Sequence, residues 1–255
     1  MTGTATRIVL ALLGALAFAT GADAADIRLL TTGAFKPIAL DLIADFERES
    51  GHKVTVENDT AGAIVRRIND GNTNFDVVVL TIDALEKMIG ENKIVDDTVT
   101  PLVRVGVGAA VRLGAPRPDL SNAEAVRRTL LAAKAVAYMD PGAGATSGIY
   151  LEQLFQRLGI LPQIRAKAVK VVGGLSAQRV ASGQADIALQ QYSEILQVPG
   201  VQYAGLLPPS VQNYTIYAGA VGAKARDRDA ALGLLSIFSD PGNEPLLKKR
   251  GVEMP

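Results

Sequence analysis

The sequence has no cysteine and no tryptophan, and His52 is its one histidine. Without thiols there is no disulfide framework, no thiolate metal site and no cysteine nucleophile. A single imidazole leaves a Ser-His-Asp triad or a multi-histidine metal centre short of parts, so no metal or other cofactor is expected. His52 itself stands in Ser50-Gly51-His52-Lys53, a turn in which a solvated side chain is expected. Charge of one sign is also missing, because 26 acidic residues balance 26 basic ones. That removes the electrostatic footprint of a nucleic-acid or anionic-membrane binder. The longest apolar run of note, Ile8 to Phe18, is too short for a bilayer, which needs about 20 residues. It follows the basic Arg7 and precedes Ala22-Asp23-Ala24, a small-x-small cleavage site. Residues 1–24 therefore read as a signal peptide cut after Ala24, and the remaining chain as an exported, periplasmic protein.

What is present is a repeated unit of strand, small-residue loop and helix, in a chain whose 48% hydrophobic content suits a compact α/β protein. The unit is clearest from Val136 to Phe155. Ala135 to Met139 is a short apolar run ended by Asp140-Pro141-Gly142. Beyond the loop, Tyr150, Leu151, Leu154, Phe155 and Leu158 mark one helix face, with Gly159 as the stop. A small-residue loop opening a helix lets backbone approach a ligand, and the first helical turn turns unpaired N–H groups and a partial positive charge toward it. Thr146 and Ser147 sit at that start, where a hydroxyl either caps the helix or turns outward to a bound oxygen. Gly142-Ala143-Gly144 begins a dinucleotide fingerprint, but Ser147 stands where the third glycine belongs.

The same unit occurs earlier. Asp26 to Thr32 reads as a strand leading through Gly33-Ala34 to a helix with Phe35, Ile38, Leu42, Ile43 and Phe46 inward. Val54 to Glu57 leads through Asn58-Asp59-Thr60-Ala61-Gly62 to a helix marked by Ile64, Val65 and Ile68. Phe75 to Leu80 is apolar enough for a strand buried on both faces, and Asp83 is expected to cap the short helix after it. Val103 to Arg112 is long enough to connect two lobes, and Ser121 to Glu124 reads as a capping box. Ala168 to Val172, Asp186 to Leu189 and Tyr214 to Val221 supply further strands, the last a return connection, before two closing helices. Gln190-Gln191-Tyr192-Ser193-Glu194 follows a buried strand, a position where α/β proteins place ligand contacts.

In order along the chain, Gly33-Ala34-Phe35, Thr60-Ala61-Gly62-Ala63 with Arg66 to Gly71, Asp76 to Val79, Asp140-Pro141 with Ser147 to Tyr150, and Gly183 to Ile187 resemble the periplasmic molybdate-binding proteins of ABC importers. The resemblance runs over nearly the whole chain beyond the leader. It implies a two-lobed type II periplasmic binding protein, each lobe a mainly parallel sheet flanked by helices, with two crossing strands and a ligand between lobes that close upon it. Residues 25–107 with 215–255 would form lobe one and 108–214 lobe two. The implied partners are a small anion and an inner-membrane permease, for a monomeric carrier that is not an enzyme.

The likeness is incomplete at the ligand. The family's first-lobe serines align with Ala34 and Ala61, and its site tyrosine with Gln191, while Thr146 and Ser147 bring hydroxyls where molybdate binders commonly have none. A buried anion oxygen without its donor costs roughly 1–3 kcal/mol. These departures point to an organic carboxylate or an oxyanion other than molybdate, with molybdate or tungstate as the alternative. Expected contacts are Thr32, Gly33, Ala34, Thr60, Ala61, Thr146, Ser147, Ser176 and Gln191, while Lys36 either approaches the cleft or stays solvated. Two further readings stand beside this one. An exported enzyme could use Asp59, Asp140 or Asp186 as acid or base, though each fits a turn or a strand start, and a sensory binding protein could present its liganded form to a receptor.

Overall fold

A computed structural model describes residues 24–255, so all of the expected leader except Ala24 lies outside the described residues. Three parallel strands open the chain: β1 (Asp26–Thr32), β2 (Lys53–Asp59) and β3 (Val77–Thr81), connected by the helices α1 (Lys36–Ser50) and α2 (Ala61–Asn69). Gly51, at φ +76°, ends α1 in the left-handed conformation that glycine adopts without strain. His52 is half-buried, its Nδ1 accepting the Ala25 N–H at 3.0 Å, so the expectation of a fully solvated ring is corrected. The helix α3 (Ile82–Gly90) starts from Thr81, and Asp83 sits in its first turn, where a carboxylate favours the helix dipole without acting as the cap.

The strand β4 (Thr100–Arg112) then carries the chain across the molecule. Its first part pairs with β9 (Tyr214–Val221), Gly106 opposite Tyr214; its second part pairs with β7 (Ile187–Gln191), Val107 opposite Gln191. Two successive residues of one strand thus belong to different halves of the sheet. The second half is built from β5 (Val136–Met139) between β6 (Ala168–Val171) and β7, all parallel, with β8 (Val201–Leu206) against β4. Its helices are α4 (Ala123–Ala132), α5 (Thr146–Arg157), α6 (Leu161–Arg165), α7 (Ala177–Ala181) and α8 (Tyr192–Ile195). The cap of α4 is Asn122, whose Oδ1 accepts the Ala125 N–H at 2.9 Å; the expected box began one residue too early, at Ser121. Two helices, α9 (Arg228–Phe238) and α10 (Glu244–Lys249), return to the first half.

Burial follows that division. Leu29, Phe35, Phe46, Val79, Tyr217, Leu234 and Phe238 share one core on one face of the first half, and Ile64, Val78, Leu80, Leu85 and Met88 fill the other face. Val126, Val136, Tyr138, Leu151, Phe155, Ile164 and Leu189 form the principal core of the second half. At the Gly106–Val107 step β4 changes pairing partner, and the chain returns to the first half between β8 and β9. Among the described residues no helix is long and apolar enough to cross a membrane.

Candidate functional site

A cleft of about 480 Å3 lies between the two halves. Parallel pairing brings the carboxyl ends of strands to one edge of a sheet, and ligands bind there because the following loops and helix starts converge. On the first-lobe side β1 and β2 run in register to Thr32 opposite Asp59, so their loops deliver Thr32, Gly33 and Lys36 together with Asn58, Asp59, Thr60 and Ala61. Tyr217 of β9 completes this wall. On the opposite side β5 and β7 end at Met139 and Gln191, Gly173-Gly174-Leu175 lies in the loop after β6, and Thr146 and Ser147 stand at the start of α5.

Among the helices that begin at the cleft, α5 and α2 differ in what their first turns meet. Ala145 precedes α5 and no side chain caps that helix, so Thr146 and Ser147 are not its caps, and both line the cleft beside its uncapped first turn. Gly148 is required by packing, since a β-carbon there would lie 2.1 Å from the Met139 carbonyl oxygen. The start of α2 is occupied differently. Thr60 Oγ1 accepts the Ala63 N–H at 3.2 Å and donates to the Ala143 carbonyl of the other lobe at 2.6 Å. The Gly62 N–H donates to Gly144 O at 3.0 Å, and Arg66 donates to Ala143 O at 3.1 Å. A β-carbon on Gly62 would come within 2.7 Å of the Gly144 Cα, so the lobes meet at this rim only because both residues are glycine.

Inside the rim the polar groups converge on Tyr217. Burial raises its phenol well above the ordinary value and the nearby Glu194 carboxyl adds to that, while Gln191, Thr146 and Thr32 draw it partly back. Proximity without alignment is the better description of two of these neighbours, because neither Thr32 Oγ1 nor Gln191 Oε1 completes a hydrogen bond among the described residues. The other end of the Gln191 amide donates to Thr215 Oγ1 at 2.9 Å, so the carboxamide is anchored with its acceptor unused. Lys36 Nζ donates to Asn58 Oδ1 at 2.8 Å, which holds the ammonium at the cleft wall. Glu194 is half-buried, and burial raises its carboxyl to about 7, an effect the Gln190 carboxamide offsets in part.

Of the residues expected at the ligand, Thr32, Gly33, Thr60, Ala61, Thr146, Ser147 and Gln191 line the cleft together. Ala34 lies buried behind Gly33, and Ser176 does not reach the cleft: its hydroxyl donates to Gln190 Oε1 at 2.9 Å inside the second lobe. Asp140 and Asp186 serve as turn and strand-start acceptors, Asp140 for the Gly142 N–H at 2.9 Å and Asp186 for Lys134 N–H at 2.5 Å. Asp59 lines the cleft but accepts the Thr60 N–H at 2.7 Å. Sequence reasoning did not single out Tyr217 or Glu194. Glu194 lay within the polar stretch marked after β7, whereas Tyr217 was one residue of a strand read only as a connection.

A family profile described as bacterial extracellular solute-binding protein matches residues 27–253. The aconitate isomerase of a Pseudomonas species is 31% identical over 233 residues, covering 89% of this chain and 87% of that one. Among solved structures, the periplasmic molybdate-binding protein of Azotobacter vinelandii superimposes with a TM-score of 0.76 at 17% identity, covering 90% of this chain and 99% of that one. The sulfate-binding protein SubI of Mycobacterium tuberculosis H37Rv gives 0.71 at 16% identity, over 90% and 87%.

Proposed function

The chain belongs to the bacterial extracellular solute-binding proteins, and from that premise we propose that its cleft captures a small organic anion carrying more than one carboxylate. The observation that carries this reading is the spread of the donors. Lys36 stands on one wall, Thr146, Ser147 and the uncapped start of α5 stand on the other, and the cleft of about 480 Å3 between them is far larger than a four-oxygen anion. Two or three carboxylates on a short carbon frame can meet both walls at once, the ammonium as a point charge and the helix start as a set of N–H donors. The likeness to a protein named for aconitate, at 31% identity, supports the same ligand class. We further propose export by the residue 1–24 leader, a periplasmic location, action as a monomer, and delivery of the ligand to an inner-membrane ABC permease.

A second reading is favoured by that same relative. The cleft would isomerise an unsaturated polycarboxylate as well as hold it, with a side chain of suitable pKa moving the proton. The two readings separate in one experiment. The chain from Ala25 onward is screened by thermal shift against cis- and trans-aconitate, citrate, molybdate, tungstate and sulfate, since a ligand that binds only the folded state raises its melting temperature. The aconitate samples are then examined by proton NMR. Stabilisation by aconitate with its geometry unchanged supports capture alone, interconversion of the isomers supports catalysis, and stabilisation by molybdate alone overturns both.

A further inference from the structure

We propose that Glu194 is the proton-exchanging group of the cleft, so that the site takes up its polycarboxylate together with one proton, held on Glu194 and donated to a ligand carboxylate oxygen. This rests on the ligand class proposed above. It extends that proposal by adding a proton to the bound species and by naming the residue that carries it.

The placement of the side chain is the first support. Glu194 follows β7 by three residues and reaches across to the other lobe, where its Oε1 lies 2.6 Å from the point at which a β-carbon on Gly33 would start. A side chain at position 33 would displace that carboxyl from where it lies. It therefore lies against the backbone of the first-lobe loop, in the cleft wall and close to Tyr217.

The second support is the charge of the cleft. From α1 the facing group is Lys36, tied to Asn58; from the end of β2 it is Asp59, tied to the Thr60 N–H; from β9 it is the neutral Tyr217 phenol; from the β7 side it is the Gln190 carboxamide. Lys36 and Asp59 cancel, so Glu194 decides the sign. Ionised, it leaves the wall with an excess negative charge that opposes an anion. Protonated, it leaves the wall neutral and offers an O–H donor. No cationic side chain is among those that shift Glu194. Gln190 Nε2 has no hydrogen-bond partner among the described residues, and its Oε1 is already held by Ser176.

Burial leaves the carboxyl at about 7 before any ligand arrives. A polycarboxylate adds like charge beside it and raises it further. The free protein is then mostly ionised at about pH 8 and the complex protonated, and the difference is a proton drawn from solvent on binding. Affinity consequently falls as pH rises above about 7, approaching about tenfold per unit until the carboxyl of the complex itself ionises.

The test is titration calorimetry of the chain from Ala25 onward with trans-aconitate at about pH 8, in two buffers of different ionisation heat. The expected result is close to one proton taken up per ligand, with affinity dropping about tenfold between about pH 8 and 9. The Glu194→Gln variant, a neutral isostere, is expected to bind trans-aconitate with no proton uptake and with affinity flat across that range. Binding by the wild-type chain without proton uptake, or uptake that survives in E194Q, overturns the assignment of Glu194 while leaving the ligand class standing. Absence of trans-aconitate binding at every pH overturns the ligand class and the assignment together. The wild-type pH slope is read without any variant, so a folding defect in E194Q does not shield the proposal.

Discussion

Helices α2 and α5 both begin at the cleft, yet their first turns do opposite work. At α2 the hydroxyl of Thr60 and the N–H of Gly62 bond to the backbone of the opposite lobe, at Ala143 and Gly144. At α5 no side chain caps the start, and Thr146 and Ser147 face the cleft. Two similar helix starts have therefore divided the work. One fastens the lobes at the rim, and the other is left free to meet an anion. The carboxylates are accordingly expected to lie against the second lobe, with Lys36 of the first lobe closing over them.

The largest effect that would test this division is expected from Gly62→Val. Its side chain would enter the space of the Gly144 backbone, and overpacking of this kind costs ~3 kcal/mol at its upper end. The cost falls on the arrangement in which the lobes meet, so with lobes that part without ligand the affinity for trans-aconitate should fall about a hundredfold and the unliganded melting temperature should stay near that of the wild type; a lowered melting temperature would mean that the lobes meet here without ligand. Undiminished binding would mean that the rim contact is not part of the liganded form.

Next in size is Glu194→Gln, read through stability alone. Burial pushes the folded carboxyl up to about 7 from its ordinary 4.5, so between those values the folded state retains a proton that the unfolded chain releases. Wild-type stability is thus lost as pH rises across that interval, by at most about 3 kcal/mol at 1.4 kcal/mol per unit. Urea denaturation should show E194Q more stable than wild type by about 2–3 kcal/mol above pH ~7 and equal to it near pH ~4.5.

Ser147→Ala is expected to lower affinity by about tenfold, one hydrogen bond to a charged oxygen, with the unliganded stability hardly moved. Thr60→Ala is expected to do the reverse. Loss of a helix cap costs ~1 kcal/mol in denaturant, with affinity reduced only two- to threefold or so through the rim. If T60A harmed affinity more than S147A, the roles assigned to the two helix starts would have to be exchanged.

The sequence made the units visible but not this division between them. Strands such as Asp26–Thr32 and the helix face of Leu151, Leu154 and Phe155 are local patterns, and they form where periodicity puts them. The polar stretch after β7 was legible as a ligand-facing end because strand polarity alone places it. Whether Thr60 or Ser147 is spent depends on carbonyls at Ala143 and Gly144, more than eighty residues from Thr60 in the chain. Ser176 is the same lesson in the other direction. A hydroxyl in a Gly-Gly loop resembles a ligand contact until Gln190 is found beside it. Tyr217 escaped because a strand that bridges two lobes gives no local sign of which residues line the gap. The step at which β4 changes pairing partner, from Gly106 to Val107, is visible only in the pairing.

The most direct test of the central claim is a calorimetric competition on the chain from Ala25 onward, titrating trans-aconitate with and without an excess of molybdate. A saturable one-to-one isotherm for trans-aconitate, unaltered by molybdate, is the predicted result. An isotherm for molybdate alone, or one for trans-aconitate abolished by that excess of molybdate, would contradict it and return the cleft to the tetrahedral oxyanions.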